Sequence, residues 1–298
     1  MISQGKARHI LVALMAWGLL LAGAPALAGL DIHSAVALII DHNGNRLYSR
    51  NATEVRPIAS ITKLMTAMVV MDAGVPLDDP ITITEQDRDR LRWSRSRLYI
   101  DEATLSRRDM LRVALMSSDN RAAHALGRTT FAGGTQAFVD AMNAKAASLG
   151  MRDSQFADAS GLDARNVSTA EDLVRLIHAA AQYPFIREVT STGEFTAHPY
   201  LATKRGPLEY RNTNPLTRDS RWQVELSKTG YIHEAGRCLV MRASVAGRTL
   251  DIVLLGANGK MTPVGDSNRL RDFLERARPP SQPRVHSCLG VSDPDCWE

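Results

Sequence analysis

The sequence predicts an α+β (mixed α/β) fold: an antiparallel sheet built from both ends of the chain, flanked by helices, with a helical lobe inserted between. Three observations carry this. The stretch "AVALIIDHNGNRLYS" is an apolar run, a turn pair and a shorter strand; segments of helical periodicity fill the middle; after Asn212 the pattern changes to short strands.

In chain order, Asn43-Gly44 joins the first two strands as a hairpin, because both residues tolerate the turn backbone. Residues 59–73 have helical spacing and stop near Gly74 and Pro76. A second helix is predicted at 107–128 and a third at 135–148. A fourth begins at Ser168, with Ser168 and Glu171 as cap and third position of a capping box. Strands follow at 223–228, 237–246 and 249–256, the last two joined at Ala246-Gly247, and a helix at 267–276 closes the fold. From Pro279 the chain is Pro-rich and polar and reads as a loose tail, 279–298.

The N-terminus reads differently. Lys6, Arg8 and His9 precede an uncharged run from Ile10 to Leu30, and Ala26-Leu27-Ala28 is an A-x-A pattern. Residues 1–28 are therefore expected to be a secretory signal peptide, leaving one folded domain at 29–278. A retained membrane anchor is the rival reading; Gly23, Pro25 and the small residues at the cut favour cleavage. Removing Lys6 and Arg8 from the 36 Lys plus Arg leaves 34 against 32 Asp plus Glu, a net charge of +2. That is no footprint for nucleic acid. Three cysteines make no disulfide framework: Cys238 sits in an apolar run as a core residue, and whether Cys288 and Cys296 pair stays open.

Three short motifs carry the chemistry. Ser60-Ile61-Thr62-Lys63 opens a helix, Ser118-Asp119-Asn120 follows "MLRVALM", and Lys228-Thr229-Gly230 ends a predicted strand. Taken alone, Ser60 could cap its helix and Lys63 snorkel to water. The order of the three, with Ser118 standing 58 residues after Ser60 and Lys228 110 after Ser118, favours catalysis. On a helix, positions i and i+3 share a face, so Lys63 reaches Ser60 and can take its proton once its own pKa is lowered. Burial beside a second cation such as Lys228 would lower it. Asn120 orients Lys63 and the substrate amide, Ser118 passes a proton to the leaving amine, and Lys228 supplies charge for a substrate carboxylate. Gly230 permits close approach, and the backbone N–H groups of Ser60 and Tyr231 would form an oxyanion hole.

The trio is shared by class A β-lactamases and penicillin-binding proteins. With "ASITKLMTAMVV", "LMSSDNRAAHALG", "NAKAASLGM", "SGLDARNVSTAEDL", "RNTNPL" and "LSKTGYIHEAGRCLVMRA", residues 32–275 resemble the low-molecular-mass penicillin-binding proteins, most of all their murein DD-endopeptidase branch. The resemblance implies a penicillin-binding, serine β-lactamase-like fold and a periplasmic serine DD-peptidase with Ser60 as the acylated nucleophile and Lys63 as its base. Ser118, Asn120, Lys228 and Thr229 would complete the cleft, Thr229 meeting a substrate carboxylate. The implied partners are peptidoglycan stem peptides and β-lactam antibiotics, with no metal and no cofactor; protein partners are undefined.

The remaining residues have blander readings. Asp119 serves the local loop and His124 packs. His233-Glu234 lacks the second histidine of H-E-x-x-H, so a zinc protease is unsupported. Arg88, Arg90, Arg92, Arg95 and Arg97 form a basic stretch, ordinarily a solvated face, with carboxylates of the wall polymer as the sharper alternative. Against a class A β-lactamase stands the lack of a Glu-x-x-Leu-Asn stretch between Asn120 and Lys228. Against a DD-carboxypeptidase, whose relatives carry a further β-rich domain and an amphipathic anchor, stands the expectation drawn from the 70 residues after Lys228. A non-catalytic wall-binding module would show a broken trio, and this one is intact.

Overall fold

The computed structural model describes residues 29–200 and 205–277. The expected leader at 1–28, the tail at 279–298, and Cys288 and Cys296 lie outside the described residues. β1 (Val36–Asp41) and β2 (Arg46–Arg50) form the expected hairpin, with Gly44 at φ +82° in its turn. Three short ribbons come next: β3 (Arg56–Pro57) with β6 (Val167–Ser168), β4 (Pro80–Thr82) with β5 (Thr104–Ser106), and β7 (Glu194–Ala197) with β8 (Leu208–Arg211). β9 (Gln223–Ile232), β10 (Gly236–Val245) and β11 (Arg248–Ala257) then complete an antiparallel sheet of order β2-β1-β11-β10-β9.

The register Val36↔Leu255 brings the two ends of the described chain into one sheet. Successive side chains on a strand point to opposite faces. Along β11, Val253 and Leu255 therefore enter one apolar core, while Ile252 and Leu254 enter another. Both faces are covered, which is why these strands read as nearly continuous apolar runs. The first core joins the sheet to α1 (Thr62–Asp72), α2 (Arg107–Met116), α3 (Asn120–Thr130), α4 (Gly134–Ser148), α5 (Ala170–Ala180) and α6 (Pro184–Ser191). On the second face, α7 (Thr262–Arg276) packs Leu270 and Leu274 beside Trp222. α1 is buried from Thr62 through Val70, the position expected of a helix that is apolar all round.

Several boundaries differ from the sequence reading, and the closing helix, expected from 267, begins at Thr262. The single helix expected at 107–128 is two, broken at Ser117-Ser118-Asp119; Ser118 has φ +62°, and the Asp119 carboxylate accepts from Ala122 N at 3.1 Å to start α3 afresh. The fourth helix is capped one residue later than expected: Thr169 Oγ1 accepts from Asp172 N, and Ser168 is held in β6. Lys228-Thr229-Gly230 lies inside a strand that runs on to Ile232, because β10 continues to pair with it as far as Ile232↔Gly236.

Candidate active site

Ser60 lies in a single 3-10 turn, Ala59–Ile61, that feeds directly into α1. It does not cap that helix: the cap position is Ile61, with no side-chain cap bond. Nor does Lys63 snorkel, since it is 1% exposed. Its Nζ lies 2.9 Å from Ser60 Oγ, 2.8 Å from Asn120 Oδ1 and 2.6 Å from the Ser160 carbonyl. The chemistry of these three partners is unequal. An amide oxygen and a backbone carbonyl only accept, whereas a serine hydroxyl can also donate. A neutral amine therefore spends its two N–H bonds on Asn120 and Ser160 and turns its lone pair to the Ser60 O–H. Burial lowers the Lys63 pKa to about 7, against the opposing pull of Asp158 and Asp119.

Asn120 opens α3, and Asp119 ahead of it is tied down by Ser96 Oγ at 2.7 Å. The Asn120 amide is held at both ends, accepting from Lys63 and donating to Ser94 Oγ at 2.9 Å. Across the cleft, Lys228 is also 1% exposed and donates to Ser118 Oγ at 3.0 Å and to the Thr229 carbonyl at 2.9 Å. Burial pushes its pKa well below the usual range, and the charge of Lys63 adds to the effect. The site thus resists holding two ammonium groups at once. Thr229 Oγ1 meets Thr213 Oγ1 at 2.6 Å.

Two glycines permit this assembly. A Cβ on Gly230 would sit 2.8 Å from the Ile58 carbonyl oxygen and 3.1 Å from Ser60 N, so the close approach is between β9 and the Ser60 turn itself. On Gly161, at φ +81°, it would sit 2.0 Å from the Ala59 carbonyl oxygen. That loop is drawn in by Asp158, whose carboxylate accepts from Ser160 N (2.6 Å), Gly161 N (2.5 Å) and Asp163 N (2.7 Å). Ala59 at φ +48° and Ser118 at φ +62° put left-handed, strained backbone beside one hydroxyl and under the other, as reactive sites often do.

Ser60, Ser118, Asn120, Thr229, Gly230 and Tyr231 line one cleft of about 380 Å³. Lys63 and Lys228 stand behind its wall on their serines. Arg237 and Lys260 line it too, and no carboxylate does among the described residues. Tyr231 is 52% exposed and carries the Arg237 guanidinium 3.7 Å from its ring centroid. His233 is exposed outside the lining, and His124 is half-buried on α3 with its pKa lowered by burial. Glu234 pairs with Arg92 at 3.0 Å, and Cys238 is buried in the core with its thiol pushed up to about 11. Sequence reasoning missed the Ser160 carbonyl, Ser94, Ser96, Asp158 and Thr213. "SGLDARN" and "RNTNPL" were visible only as similar stretches.

Three comparisons bear on this geometry. A family profile described as D-alanyl-D-alanine carboxypeptidase matches residues 22–259. Over 262 residues the chain is 46% identical to a D-alanyl-D-alanine endopeptidase of Pseudomonas aeruginosa, covering 85% of this chain and 82% of that one. It is 43% identical over 252 residues to a D-alanyl-D-alanine endopeptidase of Escherichia coli, covering 83% and 79%. Among solved structures, the Streptomyces K15 DD-transpeptidase superposes with a TM-score of 0.74 at 26% identity, over 82% of this chain and 97% of that one.

Proposed function

The chain belongs to the D-alanyl-D-alanine carboxypeptidase family, peptidase S11, and from that premise we propose that it is an endopeptidase cutting D-alanyl–diaminopimelate cross-links in peptidoglycan through an acyl-enzyme on Ser60. It is a serine-type D-Ala-D-Ala peptidase, a hydrolase of the bacterial cell wall with the fold of the penicillin-binding DD-peptidases. The cross-link as target is supported by the two endopeptidases, each matched over roughly four-fifths of its length. The observation that carries the mechanism is the unequal set of partners around Lys63.

In this reading neutral Lys63 takes the Ser60 hydroxyl proton as Oγ attacks the D-Ala carbonyl carbon. The backbone N–H groups of Ser60 and Tyr231 hold the oxyanion. The C–N bond breaks as Ser118 passes a proton to the leaving amine and is resupplied from Lys63, with Lys228 easing the transfer. Water then attacks the ester, giving its proton to Lys63, which passes it to Ser60 Oγ as the ester C–O bond breaks. A β-lactam enters the same step; among the described residues no carboxylate lines the cleft to activate water in addition to Lys63, and the adduct is expected to persist.

The enzyme acts in the periplasm, reached through residues 1–28 as a signal peptide cut after Ala28. No helix among the described residues is long and apolar enough to cross a membrane. Chromatography of digested cross-linked muropeptide dimers tests the substrate: monomeric stems should appear as dimers disappear. Release of terminal D-Ala from pentapeptides while dimers survive would establish the carboxypeptidase instead.

A further inference from the structure

The five arginines of residues 88–97 do not share one role. Arg88 and Arg90 both pair with Glu85, at 2.7 and 3.1 Å. Arg92 bridges the Leu162 carbonyl at 2.6 Å and Glu234 at 3.0 Å. Arg95 and Arg97 have no carboxylate partner among the described residues. Arg97 donates to the Glu209 carbonyl and lies 4.3 Å from the Tyr210 ring centroid; Arg95 is exposed.

These two unmatched arginines line a groove of about 440 Å³ together with Ser118, Asp119, Tyr210 and Arg211. Ser118 lines both this groove and the catalytic cleft, so the two spaces meet at a reactive hydroxyl. Within the lining, three guanidinium groups face one carboxylate, Asp119, which is already engaged by Ser96 Oγ and Ala122 N. Arg211 is balanced in part by Glu194 at 3.1 Å. The loop is not loose. Asp89 accepts from the backbone of Leu91, Arg92 and Ser94 at 2.7–3.0 Å. Ser94 and Ser96 then bond Asn120 and Asp119, which holds Arg95 between two anchored residues.

We propose that this groove is a carboxylate-binding subsite for a stem peptide of the substrate, with Arg95 and Arg97 pairing with a free stem carboxylate as the scissile bond reaches Ser60. The proposal rests on the peptidoglycan reading above and adds how a stem is held beside the reacting bond. A diaminopimelate cross-link leaves carboxylates free on the stems, and a guanidinium fork matches a carboxylate in two parallel hydrogen bonds.

The test measures kcat and KM for cross-linked dimers whose diaminopimelate carboxylates are either free or amidated. The enzymes are wild type, Arg95→Ala, Arg95→Glu and Arg95→Lys. Arg95→Ala should raise KM for the free-carboxylate dimer about five-fold at little change in kcat, and Arg95→Glu should raise it further. Arg95→Lys, which keeps the charge but not the two parallel hydrogen bonds, should restore only part of the affinity, and the amidated dimer should be insensitive to all three. Labelling by fluorescent penicillin reports whether each variant is folded with Ser60 reactive. A KM for the free dimer within two-fold of wild type in Arg95→Glu, or equal losses for free and amidated dimers, would overturn the proposal. If wild type cleaves only pentapeptides, the endopeptidase reading fails, and free against amidated pentapeptides still tests the groove.

Discussion

Acylation by penicillin should follow the protonation of Lys63, and the structure sets where. An amine with the ordinary pKa of 10.5 is neutral in about one molecule in three thousand at pH 7. With burial lowering that value to about 7, roughly half the molecules are neutral there, a gain of about three orders of magnitude. The neutral fraction is about one in ten at pH 6 and about nine in ten at pH 8. The second-order acylation rate should therefore rise close to ten-fold per pH unit below 6, bend near pH 7 and level off above 8. Lys228 belongs to the same titration, since each ammonium disfavours the other, and the observed midpoint is that of the pair. Stopped labelling with fluorescent penicillin, read by intact mass with Ser60→Ala as blank, gives the profile. Lys63→Arg should abolish the reaction across the range, because arginine stays protonated. Lys228→Arg keeps a cation beside Ser118 and should leave measurable labelling. A flat profile from pH 5 to 8, or equal loss in the two variants with the fold intact, would show that Lys63 is not the base.

Two further outcomes follow from burial and close contact. Gly161→Ala should lower stability by at least about 2 kcal/mol in urea unfolding and cut penicillin labelling, since its Cβ meets the Ala59 carbonyl beneath Ser60; an unchanged midpoint would contradict this. Lys63→Met removes a buried amine whose folded pKa, about 7, lies below its unfolded value of 10.5. Between those values the unfolded chain binds more protons, so the wild type gains stability as pH rises through the window, by up to about 5 kcal/mol at its upper end. The melting advantage of Lys63→Met over wild type should thus shrink from pH 7 to 9.5, and a difference independent of pH would refute the burial argument.

How much of this was legible depends on whether a role belongs to a residue type or to a place. Ser60, Lys63, Ser118, Asn120 and Lys228 could be singled out as a candidate group because hydroxyl, amine and amide side chains at those intervals have few other joint uses, and the structure brings them within hydrogen-bond range. The third partner of Lys63 is the Ser160 carbonyl, a group every residue carries, so no sequence signal marks it. The break at Ser118 hid for a related reason. "MLRVALM" and "RAAHAL" on either side keep apolar helical spacing, and only the left-handed Ser118 and the cap bond of Asp119 separate them. The run beyond Lys228 shows only in the pairing with β10, and the close approach expected at Gly230 is made by the Ser60 turn itself. The hairpins, by contrast, were plain, since a turn pair between apolar runs satisfies both local and sheet preferences.

The candidate site draws its groups from three separately built elements, and the hydrogen bonds between those groups also join the elements. Lys63 links the start of α1 to Asn120 on α3, 57 residues away, and Lys228 links β9 to Ser118 at the α2–α3 break, 110 residues away. Each of these supports is secured apart from the chemistry: α1 by its buried apolar shell, Asn120 by Ser94, Asp119 by Ser96, and β9 by its pairing with β10. The lysines therefore meet their serines at fixed range without having to order a loop first, which is where preorganised sites gain their rate. The same rigidity explains why two amines can stay buried at all. Lys63 has an acceptor for each N–H of its neutral form, Asn120 Oδ1 and the Ser160 carbonyl, and Lys228 has the Thr229 carbonyl beside Ser118, so each buried amine keeps hydrogen-bond partners in place of water.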